Sequence, residues 1–143
     1  MKIHTIGFSG KKQDEFFAIL NAAGITKLLD IRLYRIARFV PWASGANLSA
    51  ECSNHGIEYL VIPELTPTKE LLSAYKNNEI DWLGYEQTFN NLLATRNIEK
   101  LFTLESLDSA CFLCSEKLAD MCHRSLVVEY LQKYFPNMEI VHL

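Results

Sequence analysis

Four residues with chemically reactive side chains lie close together near the C-terminal end of the sequence: Cys114, Cys122, His123 and Arg124. A helix is predicted to begin at Cys122, and the free N–H groups of a first helical turn favour anions and lower the pKa of a thiol. The pattern therefore predicts a thiol site in which Cys122, or Cys114, is a nucleophile or redox thiolate. His123 would be its acid–base partner, and Arg124 would hold an anion by paired hydrogen bonds. In the opposing interpretation Cys122 is a weak helix cap, and His123 and Arg124 face solvent.

The same side chains also fit a metal site. Cys114, Cys122 and His123 could supply three ligands to zinc or iron, although their spacing matches no common zinc pattern. Nothing in the sequence requires a cofactor, so the metal site is kept as an alternative. Cys111 is predicted to lie in the core instead, because residues three apart on a strand face opposite sides of a sheet.

A second group of candidate residues follows the second predicted strand. Arg32, Arg35 and Arg38 recur at three-residue steps, with aromatic residues between and after them. Cations beside aromatic rings suit phosphates and stacked bases, so this loop makes a nucleic-acid-binding module the main alternative function. Asp30 could pair with one of these arginines.

The elements that must position these residues alternate along the chain. Runs of β-branched and apolar residues predict strands over 2–8, 26–31, 57–62, 109–115 and 138–143. Helical spacing predicts helices over 12–23, 47–55, 67–77, 82–97 and 122–135. We therefore predict a single α/β domain over 1–143, with about five mostly parallel strands and helices on both faces, in Rossmann-like layers. The aromatic stripe of the helix over 82–97 is predicted to pack in the core.

Polar residues collect where the predicted strands end. Since ligands of open parallel sheets bind beyond the carboxyl ends of the strands, these residues should share one rim. The predicted binding residues are Ser9, Asp30, Arg32, Arg35, Arg38, Glu116 and Arg124. The rim predicts a small enzyme that performs thiol chemistry on an anionic, phosphorylated or nucleotide-like molecule.

Composition limits the other classes of function. The chain has 143 residues, 49% of them hydrophobic, with 14 basic and 17 acidic side chains and a formal charge of −3. This balance is typical of a globular protein and argues against general coating of nucleic acid. No apolar run approaches the ~20 residues of a membrane span, so no membrane partner is expected. The N-terminal residues lack a secretory signal, so we expect a cytoplasmic protein with reduced thiols.

Taken together, these segments resemble the bacterial and archaeal family of domain of unknown function 488. The resemblance extends over nearly the whole chain. The matching segments are residues 5–9, 30–32, 56–59, 63–65, 67–71, 82–86, 114–116, 122–125 and 141–143. The resemblance implies a compact α/β domain with a shared polar rim, and it implies no particular reaction. It also implies that Cys114, Cys122, His123, Arg124, Asp30 and Arg32 belong to one site.

Overall fold

The computed structural model describes residues 1–116, 119 and 121–143. Over these residues the chain forms five strands, all parallel, and six helices. The strands are β1 (Lys2–Gly7), β2 (Lys27–Asp30), β3 (Glu58–Val61), β4 (Ala110–Cys114) and β5 (Glu139–His142). The helices are α1 (Gln13–Ala22), α2 (Gly45–Asn54), α3 (Lys69–Lys76), α4 (Trp82–Thr95), α5 (Leu104–Leu107) and α6 (His123–Tyr134). The predicted α/β fold class is confirmed, and the short α5 is an element that the sequence pattern did not indicate.

The sheet has the strand order β3-β2-β4-β1-β5. The central strand β4 is completely buried, as its continuous apolar sequence predicts for a strand covered on both faces. It pairs with β1 on one side and with β2 on the other. Although β1 and β2 follow each other in the chain, β4 therefore lies between them.

Helices cover both faces of the sheet and bury two separate apolar clusters. On one face, Leu28, Cys111 and Leu113 pack with residues of α1 and α2. On the other face, Leu29 and Phe112 pack with residues of α3, α4 and α6. Because side chains alternate along a strand, the two faces draw on alternate residues of β2 and β4.

This arrangement creates a crevice at the carboxyl end of β4. The helix that follows β2 covers one face of the sheet, whereas the helix that follows β4 covers the opposite face. The outgoing chains therefore separate at this point, and such switch points are where open α/β sheets bind ligands.

Candidate active site

The crevice gathers the ends of three neighbouring strands. Gly7 at the end of β1 lies opposite Cys114 at the end of β4, and Asp30 at the end of β2 lies opposite Leu113. The pairing continues beyond the strands, because the backbone N–H and the hydroxyl of Ser9 both donate to the Ser115 carbonyl, at 3.1 and 2.6 Å. The predicted residue Ser9 thus holds the end of β4 in place.

Two thiols and an imidazole meet at the end of β4. The Sγ atoms of Cys114 and Cys122 are 2.8 Å apart, and Cys114 Sγ lies 3.6 Å from Nδ1 of His123. All three side chains are buried, and their ligand-type atoms lie within 4.8 Å of one another. Cys111 packs on the opposite face of the sheet, as predicted. The sequence-based interpretation in which His123 and Arg124 face solvent is wrong.

The turn before α6 returns the chain to β4. Met121 has a φ of 53°, in the left-handed region that costs a non-glycine residue roughly 1 kcal/mol or more. Cys122 follows as the N-cap of α6, and His123 is the first residue of the helix. Residues 117, 118 and 120, between β4 and α6, lie outside the described residues.

The orientation of the His123 ring is set from its far side. Its Nε2 lies 2.8 Å from the carbonyl oxygen of Ile31, just after β2. A carbonyl oxygen can only accept a hydrogen bond, so Nε2 is protonated and is the donor. The other ring nitrogen, Nδ1, is therefore the one that faces Cys114. Phe89 of α4 packs edge-on against the ring with centroids 5.6 Å apart. The imidazole is therefore held with one defined nitrogen toward the thiol.

The electrostatics distinguish the two thiols. The hydrogen bond from the Cys122 thiol is the largest cause that holds the pKa of Cys114 well below its ordinary value, against the effect of burial. The His123 ring and the backbone N–H of Glu116 lower the Cys114 pKa further. The same thiol–thiol bond, together with burial, raises the pKa of Cys122. These opposite shifts favour Cys114 over Cys122 as the member of the pair that ionises.

His123 responds to the thiolate beside it. Burial is the largest single effect and acts to lower the pKa of His123. The Cys114 thiolate and the hydrogen bond to the Ile31 carbonyl together outweigh it, so the net shift of the pKa is upward. The pair thus favours a thiolate at Cys114 with an imidazolium at His123, the combination that activates cysteine nucleophiles.

Arg124 lies behind the cluster rather than in the crevice. It is 1% exposed, and its Nη1 donates to the Glu116 carbonyl at 2.9 Å. Gly7 leaves the room for this contact, because a Cβ at that position would overlap both the Glu116 carbonyl oxygen and the Arg124 Nη1. Arg124 therefore anchors the backbone that follows β4.

Asp30 and Arg32 form a buried ion pair at the end of β2. Both Asp30 oxygens receive N–H groups of the Arg32 guanidinium, from Nε at 2.9 Å and from Nη2 at 2.8 Å. Tyr59 donates its hydroxyl to the same carboxylate, and Arg32 Nη1 donates to the Ala43 carbonyl. The Arg32 guanidinium also lies over the ring of Phe8, 5.5 Å from its centroid. The expected pairing of Asp30 with an arginine is confirmed.

A cavity of about 310 Å³ opens above the cluster. Cys114, Cys122 and His123 line it together with residues of the loop after β2, of α3 and of α4. Three aromatic residues form one wall, and they are Tyr75, Trp82 and Tyr85. The aromatic stripe of α4 was predicted only to pack in the core, and Phe89 does so, but Trp82 and Tyr85 also line the cavity. Their i, i+3 spacing on one helix face was the signal in the sequence, but nothing in the sequence told which face the crevice would meet.

The remaining predicted binding residues differ in position. Glu116 is exposed and lines the cavity, and Arg32 lines it as well. Arg35 and Arg38 are exposed on the loop after β2, and neither is part of the cavity lining. Arg35 borders a separate depression beside Tyr59, and the Arg38 guanidinium lies 5.8 Å from the centre of the Phe39 ring. The structure therefore does not bring these two arginines to the thiol cluster.

Among the helices of the described residues, none is long and apolar enough to cross a membrane.

Comparison with known proteins identifies the family of the chain. Neither the curated proteins nor the solved structures include a match to it. The family described as Domain of unknown function DUF488 matches residues 12–131 of the 143, which include both cysteines of the cluster, His123 and the aromatic wall. The chain therefore belongs to the DUF488 family.

Proposed function

We propose that this protein is an enzyme in which the Cys114 thiolate is the nucleophile and His123 its acid–base partner. The observation that carries the proposal is the convergence of three donors on one buried sulfur: the Cys122 thiol, the His123 ring and the Glu116 backbone N–H. Hydrogen bonds to the charged form favour ionisation, and an ionised thiol is the reactive form of cysteine.

The reaction has two steps. The Cys114 sulfur donates an electron pair to an electrophilic carbon of the substrate and forms a C–S bond. The bond to the leaving group breaks, its electron pair stays with the leaving group, and His123 Nδ1 supplies the proton. Water or another acceptor then attacks the same carbon and gives its proton to His123, while the C–S electron pair returns to Cys114.

The surrounding residues hold this pair in place. The Cys122 thiol donates a hydrogen bond to the thiolate, and the Ile31 carbonyl fixes the imidazole. Arg124 is a positioning residue, since it holds the Glu116 backbone whose N–H reaches Cys114. Lys76 is an exposed cation in the cavity lining, which supports an anionic, phosphorylated or nucleotide-like substrate.

The test is the pH dependence of alkylation at each cysteine, measured with iodoacetamide and mass spectrometry of the native protein. We expect Cys114 to react fastest, with a midpoint below the pH of about 8.5 at which a free thiol ionises. His123→Asn removes the imidazolium and should move that midpoint upward. Cys52 is the internal control, because burial raises its pKa to about 12 and it should react slowly.

Two results would overturn the proposal. In the first, the midpoint for alkylation of Cys114 lies at or above the pH at which a free thiol ionises. In the second, His123→Asn does not change that midpoint. Cys122→Ser is informative in addition, because a serine hydroxyl still donates a hydrogen bond to the thiolate. In this variant Cys114 should still be alkylated fast and at low pH.

A metal centre is the second candidate, favoured by the three ligand-type atoms within 4.8 Å and by the fixed His123 ring. Two thiolates on a tetrahedral zinc ion stand about 3.8 Å apart, given Zn–S bonds of about 2.3 Å. The Cys114 and Cys122 sulfurs would have to separate from their distance of 2.8 Å to reach that geometry. Elemental analysis of protein purified without chelators decides between the two. One equivalent of zinc or iron, with Cys114 protected from alkylation, would establish the metal site instead of the nucleophile.

A further inference from the structure

We infer that the cavity above the thiol cluster binds a flat heteroaromatic ring of nucleobase size, stacked on Trp82. The inference rests on the proposed function, for which it names the substrate class: a nucleotide whose ring lies beside the Cys114 sulfur.

The wall of the cavity is itself a stack of rings. Trp82 and Tyr85 are stacked with centroids 5.2 Å apart and planes inclined by 15°. Tyr75 of α3 is tilted against both, at 5.7 Å from Trp82 and 5.2 Å from Tyr85. Tyr85 is buried, whereas Trp82 is only partly buried and lines the cavity. Such a surface favours a flat ring over an aliphatic chain, because aromatic faces stack.

Capping hydrogen bonds hold the N-terminal ends of the two helices that carry the wall. Trp82 is the first residue of α4, and the Asp81 side chain caps that helix by accepting the Gly84 N–H at 2.9 Å. Thr68 caps α3 in the same way, accepting the Leu71 N–H at 3.1 Å. Folding itself therefore orders the helix ends that carry these rings, and a preorganised surface of this kind binds a ligand with a smaller loss of conformational entropy.

The rest of the lining suits the edge of such a ring. Ser115, Glu116 and Lys76 line the same cavity and offer a hydroxyl, a carboxylate and an ammonium group. A nucleobase carries both donors and acceptors at its edge, and a few placed polar groups on an apolar wall are typical of small-molecule sites. The volume of about 310 Å³ is at the lower end of the range for such sites, which suits a single nucleotide.

The wall and the nucleophile are also close enough to act on one molecule. The cavity lining contains Trp82 and Tyr85 together with Cys114, and Phe89 connects the wall to the cluster by packing on both Tyr85 and His123. The negative charge of the Cys114 thiolate adds to the effect of burial in raising the pKa of Tyr85. A ring against this wall therefore lies beside the reactive sulfur.

The test uses the full chain carrying Trp42→Phe and Cys114→Ser, so that Trp82 is the single tryptophan and no covalent adduct forms. Trp42 packs in the cluster on the opposite face of the sheet, so its replacement leaves the cavity intact. Titrations with adenosine 5′-monophosphate and uridine 5′-monophosphate should quench Trp82 fluorescence to saturation. Ribose 5-phosphate, which has the phosphate but no ring, should neither quench nor compete.

A substitution series measured by calorimetry identifies the stacking residue. Trp82→Ala should weaken nucleotide binding roughly 5- to 150-fold, the range that follows from removing one stacking aromatic. Trp82→Phe keeps a ring and should restore part of that loss. Leu83→Ala is the matched control, since Leu83 is exposed on the same helix and is not part of the cavity lining.

A short single-stranded oligothymidylate distinguishes the two sources of such a ring. Binding of the mononucleotides supports a free nucleotide as the ligand, and binding of the oligonucleotide alone supports a base within a strand, where Arg35 and Arg38 would contact phosphates. The inference is overturned if none of these probes binds, or if ribose 5-phosphate binds as tightly as the nucleotides.

The outcome is separable from that of the proposed function. Fast alkylation of Cys114 without nucleotide binding would overturn the ring site and leave the nucleophile. Nucleotide binding in a protein whose Cys114 ionises like a free thiol would overturn the nucleophile and leave the ring site.

Discussion

Replacing Asp30 by alanine is expected to destabilise the protein strongly, because it leaves the buried guanidinium of Arg32 without its counterion. Asp30 is fully buried and Arg32 is 3% exposed. The carboxylate accepts four hydrogen bonds, three from the backbone and side chain of Arg32 and one from the Tyr59 hydroxyl. After the substitution Arg32 retains its bond to the Ala43 carbonyl, but its charge has no counterion among these partners.

The size of the effect follows from that burial. Removing one partner of a buried ion pair costs about 3–5 kcal/mol. For a domain of this length each kcal/mol lowers the melting temperature by roughly 2–4 °C, so the expected decrease is roughly 6–20 °C. An exposed pair provides the control. Glu51 and His55 are 3.3 Å apart with about a third of each side chain exposed, and Glu51→Ala should cost less than about 1 kcal/mol.

Urea unfolding followed by circular dichroism measures these differences. The double variant Asp30→Leu/Arg32→Met removes both charges and should lose only about 1–3 kcal/mol, because the Ala43 carbonyl loses its donor and the Tyr59 hydroxyl loses its acceptor. It should therefore be more stable than Asp30→Ala alone. A loss at Asp30→Ala no larger than that at Glu51→Ala would refute the reasoning, as would a double variant less stable than the single one.

Two other substitutions and one treatment test the geometry around the cluster. Gly7→Ala should lose about 1–3 kcal/mol in urea unfolding, since its Cβ would overlap the loop after β4. Gly84→Ala, where the nearest atom to a Cβ is 3.4 Å away, should be neutral or stabilising, and equal losses at both glycines would contradict the packing described. Oxidation with diamide should join Cys114 and Cys122, with a mass decrease of about 2 Da, while Cys52 remains a thiol. A disulfide that includes Cys52, or none at all, would be inconsistent with the sulfur positions.

Much of the fold could be predicted from the sequence because it depends on local patterns. The uninterrupted apolar run of β4 predicts a strand buried on both faces, and the alternation of strands with helical segments predicts a parallel sheet. That sheet in turn places the residues after β1, β2 and β4 at one rim, where Cys114, Asp30 and Ser9 are found. The expectation that Cys111 and Cys114 face opposite sides needed only the two-residue period of a strand.

The properties that make the cluster a candidate active site depend on distances between elements far apart in sequence. Which thiol ionises depends on a sulfur–sulfur contact and on an imidazole held by the carbonyl of Ile31, 92 positions away. The helix N-terminus alone suggested Cys122, whereas the hydrogen bonds favour Cys114 as the thiolate.

The same limit applied to Arg124 and to the aromatic wall. Whether an arginine clamps a substrate or anchors a loop depends on what its guanidinium meets, and here it meets the Glu116 carbonyl beside Gly7. Trp82 and Tyr85 line the cavity because α4 packs beside α6, a contact between elements that neither helix encodes alone. The sequence by itself determined the elements and the end of the sheet at which the reactive residues collect. Only the tertiary structure decided which of them touch, because hydrogen bonds and pKa shifts depend on distances of a few ångströms across the fold.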